Sequence, residues 1–342
     1  MTQPAPQPPL PAGFTPLAPG DPLAIGPFAV VGRIGAGGMG AVYGALDPSG
    51  GHVAVKVIHP KYAGDPAYRA QFAREAELLS RVDAECAPAF LGADPAAPQP
   101  WLATSFVTGR TLRRHVAAAG VLAGAELTAF AAGTAEALAA VHAAGITHRD
   151  VKPANIILSP EGPRVLDFGI ARATDDTGEE QGLYGTPGWV APERLDGRPA
   201  TPAVDVFAWG GLVVYAATGH GPFGTGDSGT LLARTRAGRP DTEGVPEELR
   251  PLVAAALSAE PADRPTAAEA LAALLDLAAA GAPGDPRGRL RALLAAAWHG
   301  FEGGRGAGPW IAAASLLSLS SAVAGGAGGA AGGLAAGGAA GG

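Results

Sequence analysis

Asp150, Lys152, Asn155 and Asp167 lie close together in two short stretches, "ITHRDVKPANIIL" (146–158) and "RVLDFGIAR". Asn155 and Asp167 offer oxygen ligands of the kind a hard cation such as magnesium prefers, with room for waters to complete its shell. Asp150, five residues before Asn155, is left free to accept a proton from an attacking hydroxyl. Lys152, two residues further on, can neutralise a phosphoryl group in transfer. Any one of these residues could sit in an ordinary turn. In this order and spacing they point to phosphoryl transfer.

A polyphosphate donor needs a second set of groups. "IGAGGMGAVY" (34–43) carries Gly35, Gly37 and Gly40 at the spacing of a phosphate-covering loop, with Gly38 as a fourth. Because 52 residues of the chain are glycine, that pattern carries little weight alone. Lys56, sixteen residues beyond Gly40 in "VAVKVI", changes its meaning: a lysine strand follows a strand–glycine turn–strand unit. In a dinucleotide-binding unit the glycines would lead into a helix instead. Lys56 would bind the α- and β-phosphates, and Val55 and Val57 face the other side by alternation. A carboxylate on the next helix must hold that lysine. Glu75 flanks the apolar stripe of Phe72, Ala76, Leu79 and Val82, whereas Glu77 is offset by about 200° and faces water.

The elements that position these groups follow from periodicity. "FAVVGRI", "AVYGAL" and "HVAVKVI" read as strands, with turn residues 47–51 before the third. "PAYRAQFAREAELLSRV" has helical spacing, and "PWLATSFV" is a further strand. After Gly109 the chain is mostly helical, at 126–144, 204–217, 247–257 and 266–279. A small β-rich half therefore precedes a larger α-rich half, with a seam near 105–109.

Composition narrows the function classes. A net charge of −7 argues against a general nucleic-acid binder. The one cysteine, Cys86, permits no intrachain disulfide and fits a reducing compartment. No Cys/His cluster suggests structural zinc. Lysine occurs only at 56, 61 and 152. Residues 1–26 are a proline-rich solvated arm, and 279–308 a basic linker with one short helix. The uncharged tail, 309–342, holds an apolar run at about 309–329 that approaches the length of a membrane span. Trp310 and arginines 287, 289, 291 and 305 would serve as its interfacial anchors, with the basic side cytoplasmic.

On these motifs the chain from about 27 to 278 resembles the eukaryotic-like serine/threonine protein kinases of bacteria, especially the actinobacterial branch. The resemblance implies an α+β, two-lobed kinase fold. Its small β-rich N-lobe (27–104) would hold one main helix, joined by a hinge (105–109) to a larger helical C-lobe (110–278). It implies ATP at the seam, covered by Ile34, Gly35, Ala36, Gly37, Gly38, Met39, Gly40 and Val42, with Ala54 beneath. Thr104 would be the gatekeeper, and Ser105, Phe106 and Val107 would follow the adenine edge. Lys56 and Glu75 would form an ion pair and Asp150 would be the catalytic base. Asn155 and Asp167 would hold magnesium, or manganese in its place.

"GTPGWVAPE" (185–193) matches the segment that seats the acceptor peptide, with Trp189 and Val190 where tyrosine and methionine are usual. Thr186, with Lys152, fits the serine/threonine class. Asp205 and Arg264 match two structural positions, an anchor for the catalytic loop and the partner of Glu193. Thr174, Thr177 and Thr186 are the regulatory candidates, and self-association would permit autophosphorylation. A binding-only kinase fold and a small-molecule phosphotransferase are the alternatives. The complete set Lys56, Glu75, Asp150, Asn155 and Asp167 disfavours the first, and the intact 185–193 segment disfavours the second.

Overall fold

The computed structural model describes residues 10–11, 13–37, 40–167, 187–279, 284–301 and 310. Alternating apolar residues build a six-stranded antiparallel sheet from β1 (Ala24–Ile25), β2 (Phe28–Gly37), β3 (Gly40–Leu46), β4 (His52–Ile58), β5 (Phe90–Asp94) and β6 (Trp101–Ser105), in the order β1-β2-β3-β4-β6-β5. Val53, Val55 and Val57 of β4 turn to one side and join Val30, Tyr43, Trp101 and Ala103 in a small core. Ala54 and Lys56 face the other side, and register sets Val42 and Leu102 opposite Lys56 and Thr104 opposite Ala54. One sheet face thereby becomes a core and the other a cavity wall.

Two helices follow β4, the short α1 (Pro60–Ala63) and α2 (Pro66–Leu79), whose N-cap Asp65 accepts from Ala67 N and Tyr68 N. Helix α2 buries Tyr68, Phe72, Ala76 and Leu79. Residues 13–25, which read as a solvated arm, lie against the sheet: Thr15 bridges Arg33, and Asp21 accepts from Arg33 Nη2 and Tyr43 Oη.

Past the seam, a three-stranded sheet of β7 (Arg110–Thr111), β8 (Ile156–Ser159) and β9 (Gly162–Val165) lies beside helices α3 (Leu112–Ala119) and α4 (Gly124–Ala143). Helix α4 is buried nearly all round, as its alanine-rich sequence requires. Its Gly133 admits the β8–β9 hairpin, since a Cβ there would meet Pro163 Cγ at 2.6 Å and Cys86 Sγ at 2.9 Å. The remaining helices are α5 (Pro192–Leu195), α6 (Pro202–Thr218), α7 (Ser228–Arg236), α8 (Arg250–Ala256), α9 (Ala267–Ala279) and α10 (Pro286–Ala297). Helix α6 is pinned to α4 by Trp209, whose indole N–H donates to Ala131 O and Thr134 Oγ1.

Helix α10 occupies part of the stretch that reads as a basic linker. It buries Leu290 and Leu294, and Trp298 just beyond it donates to Ser159 O at 2.7 Å. Its arginines find distant carboxylates: Arg287 pairs with Asp83, Arg289 with Asp276 and Arg291 with Glu85. No helix among the described residues is long and apolar enough to cross a membrane. Most of the apolar run, 311–329, lies outside them.

Candidate active site

Between the two sheets lies a cavity of about 260 Å³. Ile34, Gly35 and Val42 form its roof, Ala54 and Lys56 its back wall, and Thr104, Ser105, Phe106 and Val107 one edge. Ile157, Leu166 and Asp167 form the floor. Leu79, Val82, Pro88, Phe90 and Leu102 extend it behind Thr104. These last residues, with Ile157 and Leu166, were missed in the sequence. Ile157 had a readable signal, since it alternates with the buried Ile156 and Leu158; Pro88 and Phe90 had none, because only the fold brings them inward.

The glycines divide into two kinds. Gly40 has φ +154°, and a Cβ on it would sit 2.0 Å from Val57 O, so the β3–β4 approach itself demands glycine there. Around Gly35 and Gly37 nothing among the described residues lies within 4 Å of an added Cβ, which leaves their backbone open to a ligand on that side. Ala36, Gly37 and Gly40 do not line the cavity in this conformation. Gly38 and Met39 fall outside the described residues.

The loop before β8 is held from two sides. Asp205, in the first turn of α6 and 1 % exposed, accepts from His148 N and Arg149 N, each at 2.7 Å. Its Oδ2 also meets His142 Nε2 at 2.8 Å, a partner the sequence did not reveal. His148 Nε2 contacts Leu166 O at 2.9 Å, and Leu166 N donates to Asn155 O at 2.8 Å, which ties the loop to the strand end bearing Asp167. Within this frame Asp150 accepts from Lys152 Nζ at 2.8 and 3.0 Å and from Asn155 Nδ2 at 3.0 Å. Arg149 and Asp167 adopt left-handed backbone, φ +64° and +57°. Such residues cost on the order of 1–3 kcal/mol each and concentrate at functional sites.

Lys56 and Glu75 are not brought together. Lys56 Nζ lies 3.8 Å from Asp167 Oδ1. Glu75 accepts from Gln71 Nε2 at 3.2 Å, and its Oε2 is buried without a hydrogen bond among the described residues. Glu77 is exposed and pairs with Arg81. Burial pushes the Glu75 carboxyl up to about 7, against the lowering effect of the Arg149 and Lys56 charges and the Gln71 hydrogen bond. Between its ordinary 4.5 and about 7, the folded chain therefore holds a proton that the unfolded chain has released, so this group's contribution to stability falls as pH rises. The Glu75→Gln variant is expected to melt above the parent chain at about pH 8, with the gap closing toward about pH 5. Parallel melting curves at the two pH values would overturn this.

The donor set suits a divalent cation. Asn155 spends its amide N–H groups on Asp150 O and Oδ2, which leaves its carbonyl oxygen for a cation, and the Asp167 carboxylate is half-exposed at the cavity floor. Among the described residues no three His, Cys, Asp or Glu side chains cluster. Asn155 and Asp167 suit a cation held by one or two protein groups together with phosphates and water.

Two further groups complete the C-lobe side. Glu193 and Arg264 form a buried two-pronged ion pair, at 2.7 and 2.8 Å. Thr174, Thr177 and Thr186 lie outside the described residues.

Residues 28–274 match the family described as the protein kinase domain. Over 261 residues the chain is 46% identical to the probable serine/threonine-protein kinase PkwA of Thermomonospora curvata, covering 76% of this chain and 35% of that protein. It is 43% identical over 258 residues to the serine/threonine-protein kinase AfsK of Streptomyces coelicolor, covering 74% and 32%. The matched region thus spans about a third of the length of these relatives. Among solved structures, the kinase domain of Mycobacterium tuberculosis PknI is similar at TM-score 0.57 and 28% identity, covering 73% of this chain and 95% of that one. With the cavity at the seam of two lobes and the match running through both, the chain belongs to the protein kinase family, among relatives of the bacterial serine/threonine type.

Proposed function

We propose that the chain is a serine/threonine protein kinase that transfers the γ-phosphoryl group of ATP to hydroxyls of protein substrates. One observation carries this reading: the Asp150 carboxylate is fixed by Lys152 and Asn155, and the same loop is bonded through His148 and Asn155 to Leu166, next to Asp167 at the cavity floor. The groups proposed as proton acceptor and cation ligand on this loop thereby share one hydrogen-bonded frame with the backbone beside Asp167.

When bound, ATP with magnesium, or manganese in its place, supplies the phosphoryl group and the charge that offsets its oxygens. Asn155 and Asp167 would hold that cation. Lys56 would turn from Asp167 to the phosphates, with Glu75 swinging in to hold it; each lacks the other in the present conformation. Asp150 orients the acceptor hydroxyl and takes its proton, and the ammonium of Lys152 beside it faces the transferred group. Ser105, Phe106 and Val107 read the adenine edge.

Autophosphorylation, self-association that permits it, and a role in signalling belong to the same reading, with Thr174, Thr177 and Thr186 as candidate acceptors. The buried free Cys86 supports a cytoplasmic setting for this part of the chain. A membrane tether at about 309–329 has no support among the described residues, where Trp310, its expected interfacial anchor, is buried against the N-lobe.

The test is incubation of the full chain with γ-labelled ATP and magnesium, with and without a general protein substrate, and mapping of the labelled residues. Label on serine or threonine supports the reading. Nucleotide binding without transfer would favour a binding module, and label on a small molecule alone would favour the small-molecule phosphotransferase.

A further inference from the structure

Trp310 is only 6 % exposed. Its indole stacks on the His52 imidazole, with centroids 4.0 Å apart and planes 6° apart. It meets Phe106 at 4.6 Å and Phe14 at 4.9 Å, both near-perpendicular. Phe14 and Phe106 also touch, at 5.7 Å. Three separate segments thus build one aromatic box: the N-terminal arm, the start of β4 and the hinge after β6.

The box is seated by the fold. Phe106 N donates to His52 O at 3.0 Å, which fixes the two residues side by side. Phe14 lies in a slot left by two glycines: a Cβ on Gly44 would fall 1.9 Å from its Cε1, and one on Gly32 3.2 Å from its Cδ1. Thr15 and Arg33 exchange backbone hydrogen bonds at 2.8 and 3.0 Å beside it.

Phe301 stacks on Trp298 at 4.1 Å and packs against His115 at 5.3 Å. Trp298 is itself bonded to Ser159. From Phe301 to Trp310 is nine residues, enough to reach up to about 30 Å. Phe106 belongs to both sites, since it lines the nucleotide cavity and forms one wall of the box.

We propose that Phe14, His52 and Phe106 form a docking site for Trp310 of the same chain, set against the hinge beside the nucleotide cavity. A docked indole confines the Phe106 side chain and so steadies the adenine edge. Aromatic rings suit this task because they bury large area at little conformational cost. The docking does not depend on which nucleotide the cavity takes; its effect on affinity rests on the kinase reading.

The experiment compares the full chain with its Trp310→Ala and Trp310→Phe variants. Hydrogen exchange is followed in peptides covering 10–17, 50–58 and 102–108, and binding of a non-hydrolysable ATP analogue is measured by titration calorimetry. Trp310→Ala should speed exchange in all three segments and weaken analogue binding about fivefold, as loss of one aromatic contact of ~1 kcal/mol implies. Trp310→Phe should recover most of both effects. Unchanged exchange in the alanine variant would overturn the docking. Faster exchange with unchanged binding would overturn the influence on the cavity. Protection that depends on protein concentration would assign the site to a second copy and overturn the same-chain docking. If the analogue binds none of the three chains, the kinase reading fails while exchange still decides the docking.

Discussion

Replacing Asp150 by alanine should lower the turnover of phosphate transfer by about 10²–10⁴-fold, the usual scale of a positioned proton acceptor. The geometry explains why the loss should fall on kcat. Asp150 is held by Lys152 Nζ and Asn155 Nδ2 and does not line the nucleotide cavity, so KM for ATP should move little. Asp150→Asn separates chemistry from architecture: it retains an acceptor for Lys152 and Asn155 but is a poor base, and it should be nearly as slow as the alanine variant. Steady-state kinetics with ATP varied, alongside a thermal melt of each variant, make the comparison. A fully active Asp150→Asn would remove Asp150 from the proton-accepting role. A slow variant that also melts early would point to structural damage and away from lost chemistry.

Much of the site could be read from sequence because its logic is local. Alternation in β4 alone separates Lys56 and Ala54 from Val53, Val55 and Val57, and the stripe through Phe72 and Leu79 separates Glu75 from Glu77. The long C-lobe helices were equally plain, since α4 and α6 are rich in apolar residues, whereas the short α3 and α7 were not named. Long-range pairing was not legible. Arg287 and Arg291 read as a basic linker, yet their carboxylates, Asp83 and Glu85, lie 204 and 206 residues earlier. Trp310 read as a membrane-interface residue because composition cannot show that His52 and Phe106 wait for it. Periodicity also cannot rank two conformers of one ion-pair set, so it names Glu75 as the partner of Lys56 but not the conformation in which Asp167 takes that place.

The second large effect is expected at Arg264, and it concerns stability. The guanidinium has no exposed side-chain surface and Glu193 has 3%. Arg264 donates to both Glu193 oxygens and to the carbonyls of Ser258, Ala203 and Ala259, and its guanidinium lies over the Phe207 ring at 4.9 Å. Arg264→Ala would leave a buried carboxylate and three carbonyls without their donor. Breaking a buried pair in this way costs about 3–5 kcal/mol. For a domain of this size that is a fall in Tm of roughly 6–20 °C. It is a large share of the roughly 5–15 kcal/mol that holds a typical domain together. Arg264→Lys should restore only part of it, because a point ammonium cannot match the two-pronged geometry. The double variant Glu193→Leu, Arg264→Met is the discriminating one. If the loss comes from an orphaned charge, removing both partners should cost less than removing arginine alone. If the double variant is as unstable as Arg264→Ala, the orphaned charge is not the cause and the carbonyl contacts of Arg264 are what the fold requires. Activity measured below each variant's melting range adds a second reading. Glu193 ends the segment proposed to seat the acceptor, so a double variant that stays folded but loses protein-substrate turnover would show the pair holding that segment in place.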